Sequence, residues 1–455
     1  MTSAFFPLSP VLTVSAPAFL DCPGMQALWA GFTAGQGRLN VLPRADFSVL
    51  TPDAAPISLP EGRRFAACVT ETGISMTAAT REDLMRAMMT LCCRIVRAPD
   101  GSLRIPAEAW QDGYRVSRRM LHLCVFPETT VTALHRLLRL AAVLQYTHVV
   151  VEFWGMLRYD ADPALSWPQA FDKAEIRPLL EECRALGCQP VPMFNMLGHA
   201  SACRVCGGKH VVLDRFPERA DLFTPDGWAW NIENPAVPAL LRQVRQELYG
   251  LFGPGDYFHL GCDEPYQTAP AYRAAVPEYL RRLTEEVRAE GRQPIVWADT
   301  LLCGSACGAD DSYYCAAPTA DEARQLRKSL VAGTVAADWQ YCVRQGPLVT
   351  ALDLARDGLE VLGCPWHYGD ELCRAYLDTP GLSGILVTTW HTLDTRLLSV
   401  VQFAEAFGVT LPPWFHRSAP LAELAALNRA VQFGLPLSYE DCGWQRRQAG
   451  FAGSQ

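Results

Sequence analysis

The sequence predicts a (β/α)8 barrel, the TIM-barrel class of α/β fold, preceded by a small α+β domain. Three observations carry that expectation. The chain has 455 residues, which suits one small domain plus a barrel of about 250–300 residues. From about Gly113 onward, short β-branched and aromatic runs alternate with amphipathic stretches of helical period, the pattern of βα units. Eight such runs can be counted, the number that closes a barrel.

Residues 1–112 form the expected α+β domain. They are rich in Pro and Gly, with strand-like pieces at 65–70 and 73–76 and a helix-like stretch at 81–95. The barrel is expected over 113–415. Its strands are predicted at 119–125, 148–154, 189–195, 257–262, 294–298, 335–339, 361–366 and 385–390. Helical segments such as 131–145, 171–186, 237–251 and 271–290 lie between them. The apolar triplets Val149-Val150-Val151 and Ile385-Leu386-Val387 have the doubly buried character that parallel strands require. After Pro412-Pro413, residues 416–455 form a C-terminal tail, helical over 421–435, expected to pack on the barrel.

Composition limits the function classes. Apolar residues make up 49% of the chain and charged residues 19%, with a net charge of −8 and a pI near 5.7. That balance offers no electrostatic footprint for nucleic acid or an anionic membrane, so a small polar substrate is expected. No run of about 18 apolar residues predicts a membrane span. The first twenty residues lack a basic start and are broken by Pro7, Pro10 and Pro17, unlike a secretory signal. The 17 cysteines are scattered, and Cys124, Cys262 and Cys364 lie within apolar strands. Buried thiols in a reducing compartment, hence a cytoplasmic location, are the expectation. A homo-oligomer is left open.

Active sites of such barrels gather at the C-terminal ends of strands, and two features stand there. The strand from Tyr257 runs through His259-Leu260-Gly261-Cys262 into the adjacent carboxylates Asp263 and Glu264. Neighbours on an extended strand point to opposite sides, so the two acids are expected to meet different parts of a substrate. One can then act as a general acid while the other stays ionised. The chain's other Asp-Glu pairs, Asp321-Glu322 and Asp370-Glu371, show that the dipeptide alone is weak, and the first reads as a helix start. The second feature is that five of twelve tryptophans, Trp154, Trp297, Trp339, Trp366 and Trp390, fall at strand ends. Indole gives a flat apolar face and one N–H donor, suited to a sugar ring or an acetyl methyl.

His259-Leu260-Gly261-Cys262-Asp263-Glu264 resembles the His-x-Gly-x-Asp-Glu signature of family 20 glycoside hydrolases, the β-N-acetylhexosaminidases. Gly198-His199 resembles the family's Pro-Gly-His segment, with Leu197 in place of proline. Val296-Trp297, Thr389-Trp390 and Trp366-His367-Tyr368-Gly369-Asp370 resemble the segments after its fifth, eighth and seventh strands, and residues 65–95 are similar to its small preceding domain. The resemblance covers most of residues 60–410.

It implies an exo-acting β-N-acetylhexosaminidase that releases terminal β-linked N-acetylglucosamine or N-acetylgalactosamine from a small glycan or glycoconjugate. In such enzymes the acetamido oxygen of the substrate attacks the anomeric carbon, giving an oxazolinium intermediate and retained configuration. The resemblance makes Glu264 the acid and then the base, and Asp263 the group that steers the acetamide. Tyr368 would bond the acetamido oxygen, Trp297, Trp339 and Trp390 would wall the acetyl pocket, His199 would stand by the acid, and His259 would support from behind. Asp370 and an arginine of the first strand would hold sugar hydroxyls. Arg119 is the favoured arginine, with Arg118 the alternative, because a one-residue slip exchanges their facing.

This chain departs from the family pattern at Cys124, where the family often has Asp, and at Glu152-Phe153-Trp154. Glu152 either replaces one of the family's acids or faces a helix. Two other readings stand beside the hydrolase. One is a sugar-binding barrel that has lost turnover. The other is a metal-dependent hydrolase built on His199, Cys203, Cys206 and His210, whose spacing offers four ligands of the kinds zinc takes. Because the resemblance claims His199 for the active site, loop thiols are the expected reading, with no metal or other cofactor.

Overall fold

The computed structural model describes residues 4–201, 210, 212–265, 270–366, 370–390, 397–411 and 420–435. The N-terminal region contains β1 (Phe5–Pro7), β2 (Val11–Ala16), α1 (Pro23–Phe32), β3 (Arg38–Pro43), β4 (Ser48–Leu50), β5 (Phe65–Val69), β6 (Ile74–Ala78), α2 (Arg81–Cys93), β7 (Val96–Arg97), β8 (Leu103–Pro106) and β9 (Ala109–Gln111). Six of the strands form a sheet in the order β3-β2-β4-β6-β5-β9, and β1, β8 and β7 form a second one. The pieces expected at 65–70, 73–76 and 81–95 correspond to β5, β6 and α2. The other strands and α1 were not anticipated. Most of these strands are only two to four residues long, too short to show a period.

Thr80 caps α2 by accepting the Asp83 amide, and Glu82 and Asp83 occupy its first turn. Leu84, Met85, Met88, Met89 and Leu91 are all buried, because α2 has β5 and β6 on one side and a barrel helix on the other. Polar residues at those positions would face apolar layers in both directions.

The barrel strands are β10 (Arg118–Cys124), β11 (His148–Glu152), β12 (Gln189–Met193), β13 (Tyr257–His259), β14 (Gln293–Trp297), β15 (Val335–Asp338), β16 (Glu360–Gly363) and β17 (Gly384–Val387). They close in sequence order, and every pairing is parallel, including β17 back to β10. The ring of helices contains α3 (Val131–Val143), α4 (Lys173–Ala185), α5 (Ala236–Phe252), α6 (Pro270–Ala289), the short α7 (Gly304–Cys307), α8 (Ala320–Ser329), α9 (Val349–Arg356), α10 (Asp370–Leu377) and α11 (Leu397–Ala406). Each of the eight predicted strands is present, but most end two or three residues earlier than expected, where the chain leaves the ladder to build the mouth. Asp321 and Glu322 do open a helix, α8, capped by Thr319. No described helix is long and apolar enough to cross a membrane, and no disulfide joins the described cysteines.

Alternate residues of each strand point inward. Met120, Val150, Val191, Ile295, Leu362 and Leu386 form a dry plug, with a polar layer beneath it. There Arg118 Nη1 lies 3.0 Å from Glu360 Oε2, Gln293 donates to Glu360 (3.1 Å), and the His148 ring meets Tyr257 edge-on. Burial, aided by Arg118, pushes His148 down to about 3, so its imidazole is neutral.

That layer overturns the substrate-binding role expected of Arg119, and the alternative Arg118 with it. Arg118 belongs to the bottom network. Arg119 faces outward, donating to the carbonyls of Gln145, Val116 and Ser117 with its guanidinium 3.7 Å over the Tyr114 ring. Both begin β10, whose mouth end is Cys124. Five residues at about 3.3 Å each leave Arg119 about 16 Å below that end, beyond the reach of its side chain.

The tail helix α12 (Pro420–Gln432) packs on α1 and α3. Arg139 of α3 holds it, donating to the carbonyls of Val431 (3.3 Å) and Phe433 (2.9 Å) while its Nε meets Glu182 of α4 at 2.6 Å. Burial pushes the Glu182 carboxyl up, but hydrogen bonds from His135 and Arg139 outweigh it and bring it down to about 2. Replacing Arg139 by Met leaves the Glu182 carboxylate with His135 as its remaining partner and frees two carbonyls, for an expected loss of about 3 kcal/mol in urea unfolding. Because Glu182 is depressed in the folded state, its stabilisation is present above its ordinary 4.5 and fades as pH falls toward 2. The Arg139→Met variant should therefore lose less stability than wild type across that interval.

Candidate active site

Beyond His259 the chain is no longer extended. Gly261, Cys262 and Glu264 take φ values of +68°, +71° and +46°. Among the described residues, four of the six non-glycine positions with positive φ are at the barrel mouth: Trp154, His199, Cys262 and Glu264. Such backbone costs roughly 1–3 kcal/mol per residue and persists where surrounding structure enforces it. Asn195, just past β12, supplies that enforcement. Its Oδ1 accepts the Cys262 amide (3.0 Å) and the Leu197 amide (3.3 Å), and its Nδ2 donates to Asp263 Oδ1. Two glycines permit the close approach. A Cβ on Gly198 would lie 2.1 Å from the Asp263 carbonyl oxygen, and one on Gly261 would lie 2.6 Å from the Asn195 side chain.

These turns correct the expectation that Asp263 and Glu264 diverge. His199 Nε2 lies 2.9 Å from Glu264 Oε2 and 3.4 Å from Asp263 Oδ2, so both carboxylates converge on one imidazole. The strict alternation of side chains needs an extended backbone, and here the strand has already ended. Trp228 packs on the His199 ring at 4.6 Å and donates its Nε1–H to the Glu264 carbonyl (2.6 Å). Asp263 is buried, while Glu264 keeps partial exposure.

A third carboxylate, which the sequence reading missed, completes the group. Asp299 is fully enclosed two residues beyond Trp297, and its Oδ2 accepts the Glu264 amide (2.9 Å). Burial, reinforced by the charges of Asp263 and Glu264, pushes its carboxyl well above the usual range. Asp299→Asn is then expected to leave stability within about 1 kcal/mol, whereas Asp299→Ala removes the acceptor of a buried amide and should cost about 1–3 kcal/mol in thermal unfolding.

An aromatic pocket lies beside the carboxylates. Trp297 is its buried floor, packed against His259 (4.3 Å) and Trp390 (5.5 Å), and its indole N–H has no acceptor among the described residues. His259 supports this floor from within the barrel and accepts the Gly261 amide (3.1 Å). Trp339 forms a wall between Tyr314 (4.7 Å, stacked) and Tyr341 (5.2 Å), and Trp366 follows at 5.1 Å from Tyr341. The Tyr341 hydroxyl accepts from Trp390 Nε1 (2.7 Å) and Thr388 Oγ1 (3.1 Å), which leaves its own proton to donate. Trp154 instead packs on Phe126 (5.0 Å). Next to Glu264, Pro265 opens on a cavity of about 440 Å³ lined also by Arg273, Tyr314, Ala317, Glu322 and Leu326.

The structure thus assembles Asp263, Glu264, His199, His259, Trp297, Trp339 and Trp390, and leaves Arg119 outside. Tyr368 lies outside the described residues, and Asp370 opens α10. Of the four residues of the zinc alternative, Cys203 and Cys206 also lie outside them. His199 faces the carboxylates, whereas His210 stacks on Phe194 (4.6 Å) with Nδ1 3.3 Å from the Leu165 carbonyl. Glu152 faces the barrel interior rather than a helix, meeting His122 and Cys124. Asn195 and Asp299 carried a usable signal, each standing two residues past an inward strand position. Tyr314 and Tyr341 carried none, because only the loop after β14 and the turn after β15 bring them to Trp339.

No family's sequence profile matches the chain, and no curated protein matches it. Solved structures do. An exo-β-N-acetylglucosaminidase of glycoside hydrolase family 20 from Vibrio harveyi, in complex with N-acetylglucosamine, superposes with a TM-score of 0.65 at 15% identity, covering 96% of this chain and 77% of that one. A family 20 β-N-acetylhexosaminidase from Streptomyces coelicolor A3(2) gives 0.64 at 16% identity over 96% and 95%. A further family 20 β-N-acetylglucosaminidase gives 0.63 at 17% identity over 97% and 96%. At such identities the likeness establishes the fold, a barrel behind an α+β domain as in those enzymes.

Proposed function

We propose that the chain is a glycosidase, and specifically a retaining exo-β-N-acetylhexosaminidase acting on terminal β-linked N-acetylglucosamine or N-acetylgalactosamine of a small glycan or glycoconjugate. The observation that carries this reading is the convergence of Asp263, Glu264 and His199 beside an aromatic pocket at the barrel mouth. The fold shared with solved enzymes of that activity supports it.

In this mechanism Glu264, partly exposed toward the cleft, gives its proton to the glycosidic oxygen as the bond to the anomeric carbon breaks. The substrate's acetamido oxygen attacks that carbon, and Asp263 accepts the acetamide N–H and balances the charge of the oxazolinium. Asn195 fixes one Asp263 oxygen, leaving the carboxylate pre-oriented. Glu264, now a carboxylate, takes a proton from the water that reopens the ring at the anomeric carbon, and the configuration is retained. His199 bridges the two acids and keeps them in register through both steps.

Trp297, Trp339 and Trp390 enclose the acetyl methyl, the Tyr341 hydroxyl beside Trp390 is a further donor, and Tyr368 remains the proposed partner of the acetamido oxygen. Asp370 remains the proposed partner of sugar hydroxyls. Abundant buried thiols fit a reducing, cytoplasmic setting.

Hydrolysis of a chromogenic β-N-acetylglucosaminide, with and without chelator, tests the reading. Release that resists chelator, falls at least about 100-fold at steady state in Glu264→Gln and is strongly inhibited by a thiazoline analogue of the oxazolinium supports it. Sugar binding without turnover, or inhibition by the thiazoline no better than by free N-acetylglucosamine, overturns it.

A further inference from the structure

We propose that His122, Cys124 and Glu152 form a binding site for one divalent transition-metal ion, of the class that Zn2+ represents, in the barrel beside the aromatic pocket. The three side chains share the inward face. Cys124 pairs directly with Glu152 across the parallel β10–β11 ladder, and His122 precedes Cys124 by two residues. All are buried, at 0%, 5% and 2% exposure, and one ligand atom from each lies within 4.8 Å of the others.

The distances carry the argument. Cys124 Sγ is 3.7 Å from His122 Nε2 and 3.7 Å from Glu152 Oε2, and His122 Nε2 is 3.4 Å from Glu152 Oε2. The nitrogen–oxygen separation is too long for a good hydrogen bond. Three ligands placed tetrahedrally around zinc, at Zn–S about 2.3 Å, Zn–N about 2.05 Å and Zn–O about 2.0 Å, stand about 3.3–3.6 Å from one another. The observed triangle matches those edges to within about 0.2 Å on each side.

Donor chemistry agrees. Thiolate, imidazole and carboxylate together suit Zn2+ or Co2+ better than Mg2+ or Ca2+, which take oxygen ligands. Three protein donors leave the fourth tetrahedral position for water or a substrate oxygen. The imidazole is held in place by Trp390 (4.6 Å) and Trp297 (6.0 Å), and Thr389 Oγ1 donates to the His122 carbonyl (2.6 Å), so little reorganisation is needed on binding. Cys124 loses its thiol proton when the ion enters, which makes affinity rise with pH.

The test uses the full-length chain stripped of metal and titrated with Co2+ alone, read by absorption. One equivalent should bind, with visible bands of tetrahedral cobalt and a sulfur-to-cobalt charge-transfer band, and Zn2+ should displace it. Cys124→Ser should abolish the charge-transfer band, and Glu152→Gln, which keeps the shape of the site, should weaken binding at least about tenfold. The Cys203→Ser, Cys206→Ser double variant should bind as wild type. Absence of stoichiometric binding, a charge-transfer band unchanged in Cys124→Ser, or a signal lost only in the double variant overturns the proposal. Should Cys124→Ser fail to fold, as circular dichroism will report, Glu152→Gln decides. The readout needs no substrate, so it stands or falls separately from the glycosidase reading.

Discussion

Glu264→Gln is expected to lower kcat on a β-N-acetylglucosaminide by about 10²–10⁴-fold, the range that general acid–base catalysis supplies. Glutamine keeps the shape of the side chain and can still meet His199, so the site should remain assembled. On the proposed mechanism, it could neither give a proton to the glycosidic oxygen nor take one from water afterwards. The two losses can be separated. A nitrophenolate leaving group needs little protonation, so the first step is spared with that substrate and the second, attack by water, becomes limiting. A substrate with an alcohol leaving group depends on both, and its kcat/KM should fall further. Pre-steady-state measurement of nitrophenolate release should accordingly show a burst in the variant. Equal loss with both substrates and no burst would argue against one residue serving as acid and base.

Asp263→Asn is expected to lower kcat by about 10²–10³-fold, comparable to removing one preorganised charge-stabilising contact at a developing ion. Asn195 donates its amide to Asp263 Oδ1, and an asparagine at 263 can present its own oxygen there, so the fold should hold. On the proposed mechanism, the negative charge that balances the oxazolinium would be lost. Affinity for a thiazoline analogue should fall by a similar factor, because the analogue resembles the intermediate, while affinity for the neutral product sugar should change much less. A variant that loses product and analogue binding equally would place Asp263 in uniform binding rather than in catalysis.

Much of this architecture was legible in the residues. The barrel was readable because each parallel strand is buried on both sides and so must be a compact apolar run, as at Val149-Val150-Val151. The paired acids after Tyr257 stood out because an apolar strand ending in two carboxylates has little packing reason to do so. The strand-end tryptophans were readable for the same cause. The N-terminal sheet was less so, since strands as short as Ser48–Leu50 carry no detectable period. Arg119 shows the limit most directly. Its residue type and strand fitted the role, but it stands at the start of β10, the floor end of the strand, and its guanidinium is taken up by backbone carbonyls outside the barrel.

The sequence by itself determined the class of fold, the strand that delivers Asp263 and Glu264, and the aromatic character of the mouth, because burial on two faces and polar strand ends are properties of local chain segments. Only the tertiary structure decided that the two acids converge on His199, that Asp299 joins them through the Glu264 amide, and that His122, Cys124 and Glu152 meet. Those outcomes rest on left-handed turns enforced by Asn195, on burial among neighbouring charges, and on inter-strand register. Each is set by residues distant in the chain, so no local pattern could have carried it.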